Sequence, residues 1–201
     1  MAIIIGAIGQ RAYELIRDRI GEILADELPN QSILNGNDPN LNPKVFRERF
    51  IPPSDEELPM VNVELAKGDY GLITAISQDG TYTYHIDVHT KSKTSGSARG
   101  DYKSASLCQR LTGVIHAILS DAKYRTLGFD RPFIEHVSVS DIQFATPTNG
   151  KDASSIMMGR LTFTVRVPES VEAYTPVLID GYDTSVEMDE TNEGYVYTGN
   201  T

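Results

Sequence analysis

The sequence predicts an α+β fold of two layers: an antiparallel sheet of about five strands with two helices packed on one face, plus an extended C-terminal arm. Three observations predict it. Apolar residues recur at three- and four-residue spacing near 8–28 and 106–127, the period of a helix with one buried side. Within 61–90 and 134–167 they recur at every second residue, the period of a strand with one buried face. Past Arg166 there is no Lys or Arg, but eight acids remain: Glu169, Glu172, Asp180, Asp183, Glu187, Asp189, Glu190 and Glu193. All 18 bases lie in residues 1–166 against 20 of the 28 acids, a net of −2. A nearly neutral body, 1–167, therefore precedes an acidic segment, 168–201.

The first helix is carried by Ile8, Ala12, Leu15, Ile16, Ile20, Ile23 and Leu24, with Glu14, Arg17, Asp18, Arg19 and Glu22 mostly on the other side. Pro29 is expected to end it, because proline lacks the amide proton and clashes with the preceding turn. From Asn30 to Pro59 no period holds, and Asn35-Gly-Asn-Asp-Pro-Asn40 and Ile51-Pro-Pro53 indicate a long irregular loop. A loop of this length is expected to be functional or to lie on a partner. Val61, Val63 and Leu65 then form one strand, with Leu72–Ser77 and Thr81–Thr90 as a hairpin turned by Gln78-Asp79-Gly80. Lys91 to Gly100 is a basic Ser/Gly loop. Ser106 with Gln109 forms a capping box that opens the second helix, whose stripe is Leu107, Leu111, Val114, Ile115, Ile118 and Ala122, and Gly128 stops it. Gly113 inside this helix costs about 1 kcal/mol relative to Ala, which predicts a close approach to the sheet. Two strands close the body, at 134–145 and 156–167. The apolar parity switches between Val137/Val139 and Ile142/Phe144, which predicts a bulge near Asp141.

A net charge of −10 argues against general binding of nucleic acid or anionic membrane. The single cysteine, Cys108, reads as a small packed hydrophobe, and no internal disulfide is possible. No run approaches a membrane span, and the apolar start Met1–Gly6 is too short for a secretory signal. The expectation is a soluble protein made and used in a cytoplasm. Gly6-x-x-Gly9 lacks the rest of a phosphate loop, and Arg99-Gly100-Asp101 is a three-residue match expected by chance.

His85-x-Asp87-x-His89 is the sharpest chemical constellation, because strand alternation puts the three side chains on one face. The plainer reading is a solvated or interface-facing polar strand, with a metal-binding module or metal-dependent enzyme as the alternative. Lys91, Lys93, Arg99 and Lys103 form the one local basic patch along the sequence, suited to phosphates, to an acidic protein surface or simply to water. Tyr174, Val177, Leu178, Ile179 and Tyr182 give the acidic segment apolar anchors, which suits an arm that docks. No spacing specifies a nucleophile with its base, so no catalytic residue, cofactor or resident metal is expected.

The order of helix 8–28, strands within 60–90, helix 106–127 and hairpin 134–167 resembles the tail terminator (tail completion, or neck) proteins of tailed bacteriophages. The resemblance is one of architecture and covers about residues 8–167. It implies a non-enzymatic subunit of a six-fold homo-oligomeric ring that caps the tail tube, stops its growth and meets the head-side neck or connector. The implied partners are the tail tube protein and, in a contractile tail, the sheath protein, with genomic DNA passing through without sequence-specific binding. The implied place is the virion, after assembly in the host cytoplasm. The loop 30–59 and the arm are longer than a minimal member needs, so another head-to-tail adaptor is an alternative. In a ring, the Lys91–Lys103 loop is expected to project towards a neighbouring ring or the channel.

Overall fold

The computed structural model describes residues 9–51, 54–74, 77–92, 100–130, 133–145, 156–170, 185–187 and 196–198. The chain divides into two units, Ala7–Val171 and Met1–Gly6 with Glu172–Thr201. In the second, β6 (Ser185–Glu187) and β7 (Val196–Thr198) pair antiparallel.

The body is the predicted α+β fold: a five-stranded sheet and two helices, α1 (Ala12–Leu34) and α2 (Gly100–Ser120). The strands are β1 (Lys44–Arg47), β2 (Met60–Thr74), β3 (Ser77–Lys91), β4 (His136–Ala145) and β5 (Ile156–Ser170). Their order is β1-β2-β3-β5-β4. β1 runs parallel to β2, and every other pairing is antiparallel. The sheet is therefore mixed. Both helices pack into one core with Val61 and Val63 of β2, Tyr82, Tyr84, Ile86 and Val88 of β3, and Leu161, Phe163, Val165 and Val167 of β5. Each such side chain, fully buried, contributes roughly 1.5–3 kcal/mol of transfer free energy. The alternate residues of the same strands face away from the helices.

Several elements differ from expectation. Pro29 lies inside α1, which runs on to Leu34. Leu28 and Ser32 on either side are buried, and the Ser32 hydroxyl donates to the Asp38 carbonyl at 2.7 Å, so packing outweighs the lost backbone bond. It starts at Ala12, four residues beyond the predicted first position, where the Arg11 amide donates to the Glu14 carboxylate at 2.8 Å. The supposed loop 30–59 holds this last turn, short 3-10 turns at Pro39–Leu41 and Asp55–Glu57, and β1.

The predicted pair of strands 61–65 and 72–77 is a single strand, β2, and the chain reverses between Thr74 and Ser77. Asp79 and Gly80 are ladder residues paired with Gly71 and Tyr70, not a turn. The glycines serve Tyr82: a Cβ on Gly80 would lie 2.7 Å from its hydroxyl, and one on Gly68 3.3 Å from its ring. A strand glycine of this kind marks a close approach rather than a break.

α2 begins before Ser106 and ends at Ser120, so the predicted capping box is internal and Gly128, at φ +79°, follows a separate 3-10 turn, Ala122–Tyr124. The close approach to the sheet is at Gly159 of β5, where a Cβ would meet Thr112 Oγ1 at 2.7 Å and Cys108 Sγ at 3.0 Å. Gly113 points away, with nothing within 4 Å of its would-be Cβ. The predicted bulge is present: the β4–β5 register shifts between Val139 and Asp141. β5 extends through Ser170, past the expected start of the arm.

Candidate functional site

The helix-free face of the sheet is built from the outward parity of its strands. Register places Phe46, Asn62, Asp87, Arg160 and Gln143 side by side on all five strands. Glu64, His85, Thr162 and Asp141 form the next row, and Met60, His89, Met158 and Ala145 flank the first row on its other side.

Asp87 and Arg160 are the electrostatic centre. Arg160 Nε and one terminal nitrogen donate to the two Asp87 oxygens, each at 2.7 Å, in a bidentate fork. Asp87 is 6% exposed, and its hydrogen bonds hold the Arg160 guanidinium charged more firmly than usual. His89 beside it is pushed below the usual imidazole range, first by burial. At the β1 side, Arg49 covers the face: its amide donates to Asn62 Oδ1 at 3.0 Å and its carbonyl accepts from Asn62 Nδ2 at 3.2 Å. Its guanidinium lies 4.5 Å from the Phe46 ring centre and forks onto Glu57 at 2.9 and 2.8 Å. With Ser54 also donating, Glu57 is held down at a pKa of about 2.

This arrangement bears on the metal alternative. Both Asp87 oxygens are committed to Arg160, and among the described residues no three His, Cys, Asp or Glu side chains are grouped to share an ion. Alternation along β5 turns Arg160 to the same face as Asp87, but their contact is set by the β3–β5 register and has no local trace in the sequence.

The sheet ends on two edge strands among the described residues, β1 and β4, and they are unlike; β1 covers only Met60–Val63 of β2. β1 carries Lys44, Val45, Phe46 and Arg47, with Lys44 exposed. β4 carries Asp141, Ile142, Gln143, Phe144 and Ala145 after its bulge, all exposed. On the far layer, a cavity of about 350 Å³ lies between the helices, lined by residues including Glu27, Gln31, Val114 and Tyr124. Glu27 is held at a pKa of about 2 by Lys123, at 2.7 Å, and by the Tyr124 hydroxyl.

The sequence-derived interaction residues fall partly on described elements and partly outside them. Lys91 is the last residue of β3, paired with Ile156, and Lys103 lies in the opening turns of α2, so neither is a free loop charge. Thr90 Oγ1 donates to the Ser104 carbonyl at 2.8 Å and ties these two elements together. Lys93, Arg99, Tyr174, Val177, Leu178, Ile179 and Tyr182 lie outside the described residues. Cys108 is buried, and burial pushes its thiol up to about 11, as a packed hydrophobe requires. No helix among the described residues is long and apolar enough to cross a membrane. No protein-family model and no curated protein matches the chain.

Proposed function

We propose that the chain is a non-enzymatic structural subunit of a tailed-bacteriophage virion, a tail terminator or closely related neck protein that assembles as a ring. The observation that carries this reading is the sheet: helices cover one face, a polar face lies opposite, and the two free edges differ in length, charge and apolar content. A closed ring joins unlike surfaces head to tail, and a subunit with two unlike edges supplies such a pair. The Asp87–Arg160 fork, shielded within its row, suits a rigid recognition surface better than a reacting centre. The partners in this reading are further copies of the chain, the tail tube, a sheath where the tail contracts, and the head-side neck. The acidic segment adds contact through high effective concentration.

Light scattering on the purified chain, with negative-stain images of virions labelled at the C-terminus, tests the proposal. The expected result is a discrete ring-sized oligomer and label at the head–tail junction. A chain that stays monomeric and is missing from purified tails overturns it. Deleting 171–201, which spares all of β5, is expected to weaken assembly while the melting transition of the body persists. Unchanged assembly would remove the arm from the proposal.

A further inference from the structure

We propose that the free edge of β4 pairs with the free edge of β1 in a second copy, continuing one sheet into the next as an antiparallel ladder. The inference rests on the ring reading above and names the contact that closes the ring.

Direction is the first argument. β1 is parallel to β2, and the steps β2–β3, β3–β5 and β5–β4 are all antiparallel, so β1 and β4 run in opposite senses within one copy. A ring with a single rotation axis presents every copy alike. Strands with a component along that axis then bring β4 to β1 of the next copy antiparallel, the more stable arrangement.

Length and parity agree. The bulge after Val139 leaves 141–145 as the straight part of β4, which matches β1 with Pro43 before it. On the polar face β1 presents Lys44 and Phe46, while β4 presents Asp141 and Gln143. On the helix side β1 presents Val45, while β4 presents Ile142 and Phe144, which are 38% and 41% exposed. Setting Ile142 opposite Val45 places Gln143 opposite Lys44 and Asp141 diagonal to that lysine. Both faces are then satisfied together, and a one-residue slip would break both.

Like edges fit worse. β4 on β4 sets Asp141 against a strand with no Lys or Arg to answer it, and β1 on β1 sets Lys44 against a strand with no acid. Pro43, Lys44 and the β4 bulge are devices that discourage indiscriminate edge pairing.

The test is disulfide capture in the full chain carrying Lys44→Cys and Gln143→Cys, which register sets opposite each other. Cys108 is buried and stays silent under mild oxidation. The expected result is a ladder of covalent multimers in the double variant, with each single variant remaining monomeric on non-reducing gels. Covalent dimers from Gln143→Cys alone would mean that β4 meets β4, and would overturn the proposal. A double variant that forms a wild-type-sized ring but never cross-links overturns the edge contact and leaves the ring reading standing. A monomeric wild-type chain overturns both. As an independent measure, Asp141→Lys should weaken association about fivefold per contact, the effect of one cross-strand charge pair, and Lys44→Glu in the same chain should restore it. Failure of that restoration in a chain that still forms rings also counts against the pairing.

Discussion

Two glycines near the same helix make opposite predictions when changed to alanine. Gly159 of β5 lies beneath α2, and a Cβ there would stand 2.7 Å from Thr112 Oγ1, 3.0 Å from Cys108 Sγ and 3.1 Å from Phe144 Cε1. Thr112 and Cys108 are 1% and 0% exposed and sit on a helix backbone, so neither can swing aside. The helix would have to lift. Overpacking of this kind costs about 1–3 kcal/mol, and the stiffer alanine backbone returns about 0.5–1 kcal/mol. Gly159→Ala is therefore expected to destabilise by about 1–2 kcal/mol. Gly113, on the outward side of α2, has nothing within 4 Å of its would-be Cβ. There the helix propensity term stands alone, and Gly113→Ala is expected to stabilise by about 1 kcal/mol. At this chain length each kcal/mol corresponds to about 2–4 °C in Tm. Urea denaturation followed by circular dichroism, with equal m-values required across variants, reads both changes. A neutral Gly159→Ala would show that α2 does not sit on β5 as described. A destabilising Gly113→Ala would show that the outward face of α2 is already occupied in the folded chain.

Arg160→Met leaves Asp87 buried without its partner and is expected to cost about 2–3 kcal/mol, less than a fully buried pair because the Arg160 side chain is 33% exposed. Adding Asp87→Leu should recover most of that loss; a double variant as unstable as the sum of the singles would refute the pairing. Tyr84→Phe removes the donor to the Tyr13 carbonyl at 2.8 Å, with an expected cost of about 1 kcal/mol in the same urea titration. His89 titrates in the folded state below its unfolded value near 6.5, so the unfolded chain takes the proton first. Its contribution is full above that value and declines as pH falls through it towards the folded pKa; His89→Gln should flatten this part of the stability–pH curve, and parallel curves for the two proteins would refute the assignment.

What was legible in the sequence followed periodicity. Tyr82, Tyr84, Ile86 and Val88, and Leu161, Phe163, Val165 and Val167, were readable as inward faces because long strands repeat the signal many times. The β4 bulge was readable for the same reason, as a phase change between Val139 and Ile142. What failed depended on tertiary contacts. Asp79-Gly80 has the chemistry of a turn, but Tyr82 needs the space above Gly80, and Asp79 meets Arg166 across the ladder. Pro29 has the chemistry of a helix end, but burial of Leu28 and Ser32 carries α1 past it. At the candidate site, the outward positions of His85, Asp87 and His89 were legible, whereas the Arg160 partner was not, because register between distant strands leaves no local trace.

β1 is the strand that sequence periodicity does not reveal, and it changes what the sheet presents at that side. Four residues are too few to display an alternation, and their flanks, with Pro43 before them and Ile51-Pro-Pro53 after, suggest a loop. Read without β1, the sheet would end on β2, a long strand antiparallel to β3 and parallel to β5. With β4 antiparallel to β5 at the other side, those two edges would already oppose each other in direction, so direction alone does not distinguish the two cases. Charge and length do. β1 covers Met60–Val63 of β2 and offers there a short edge with Lys44 on the polar face and Val45 on the helix side, the complements of Asp141 and Ile142, while β2 beyond Val63 pairs with β3 alone among the described residues. A lysine reversed on β1 should therefore impair assembly while leaving β2, and with it the folded core, intact. If Lys44→Glu instead unfolded the body without altering assembly of the surviving protein, β1 would be a stabilising strap rather than a joint.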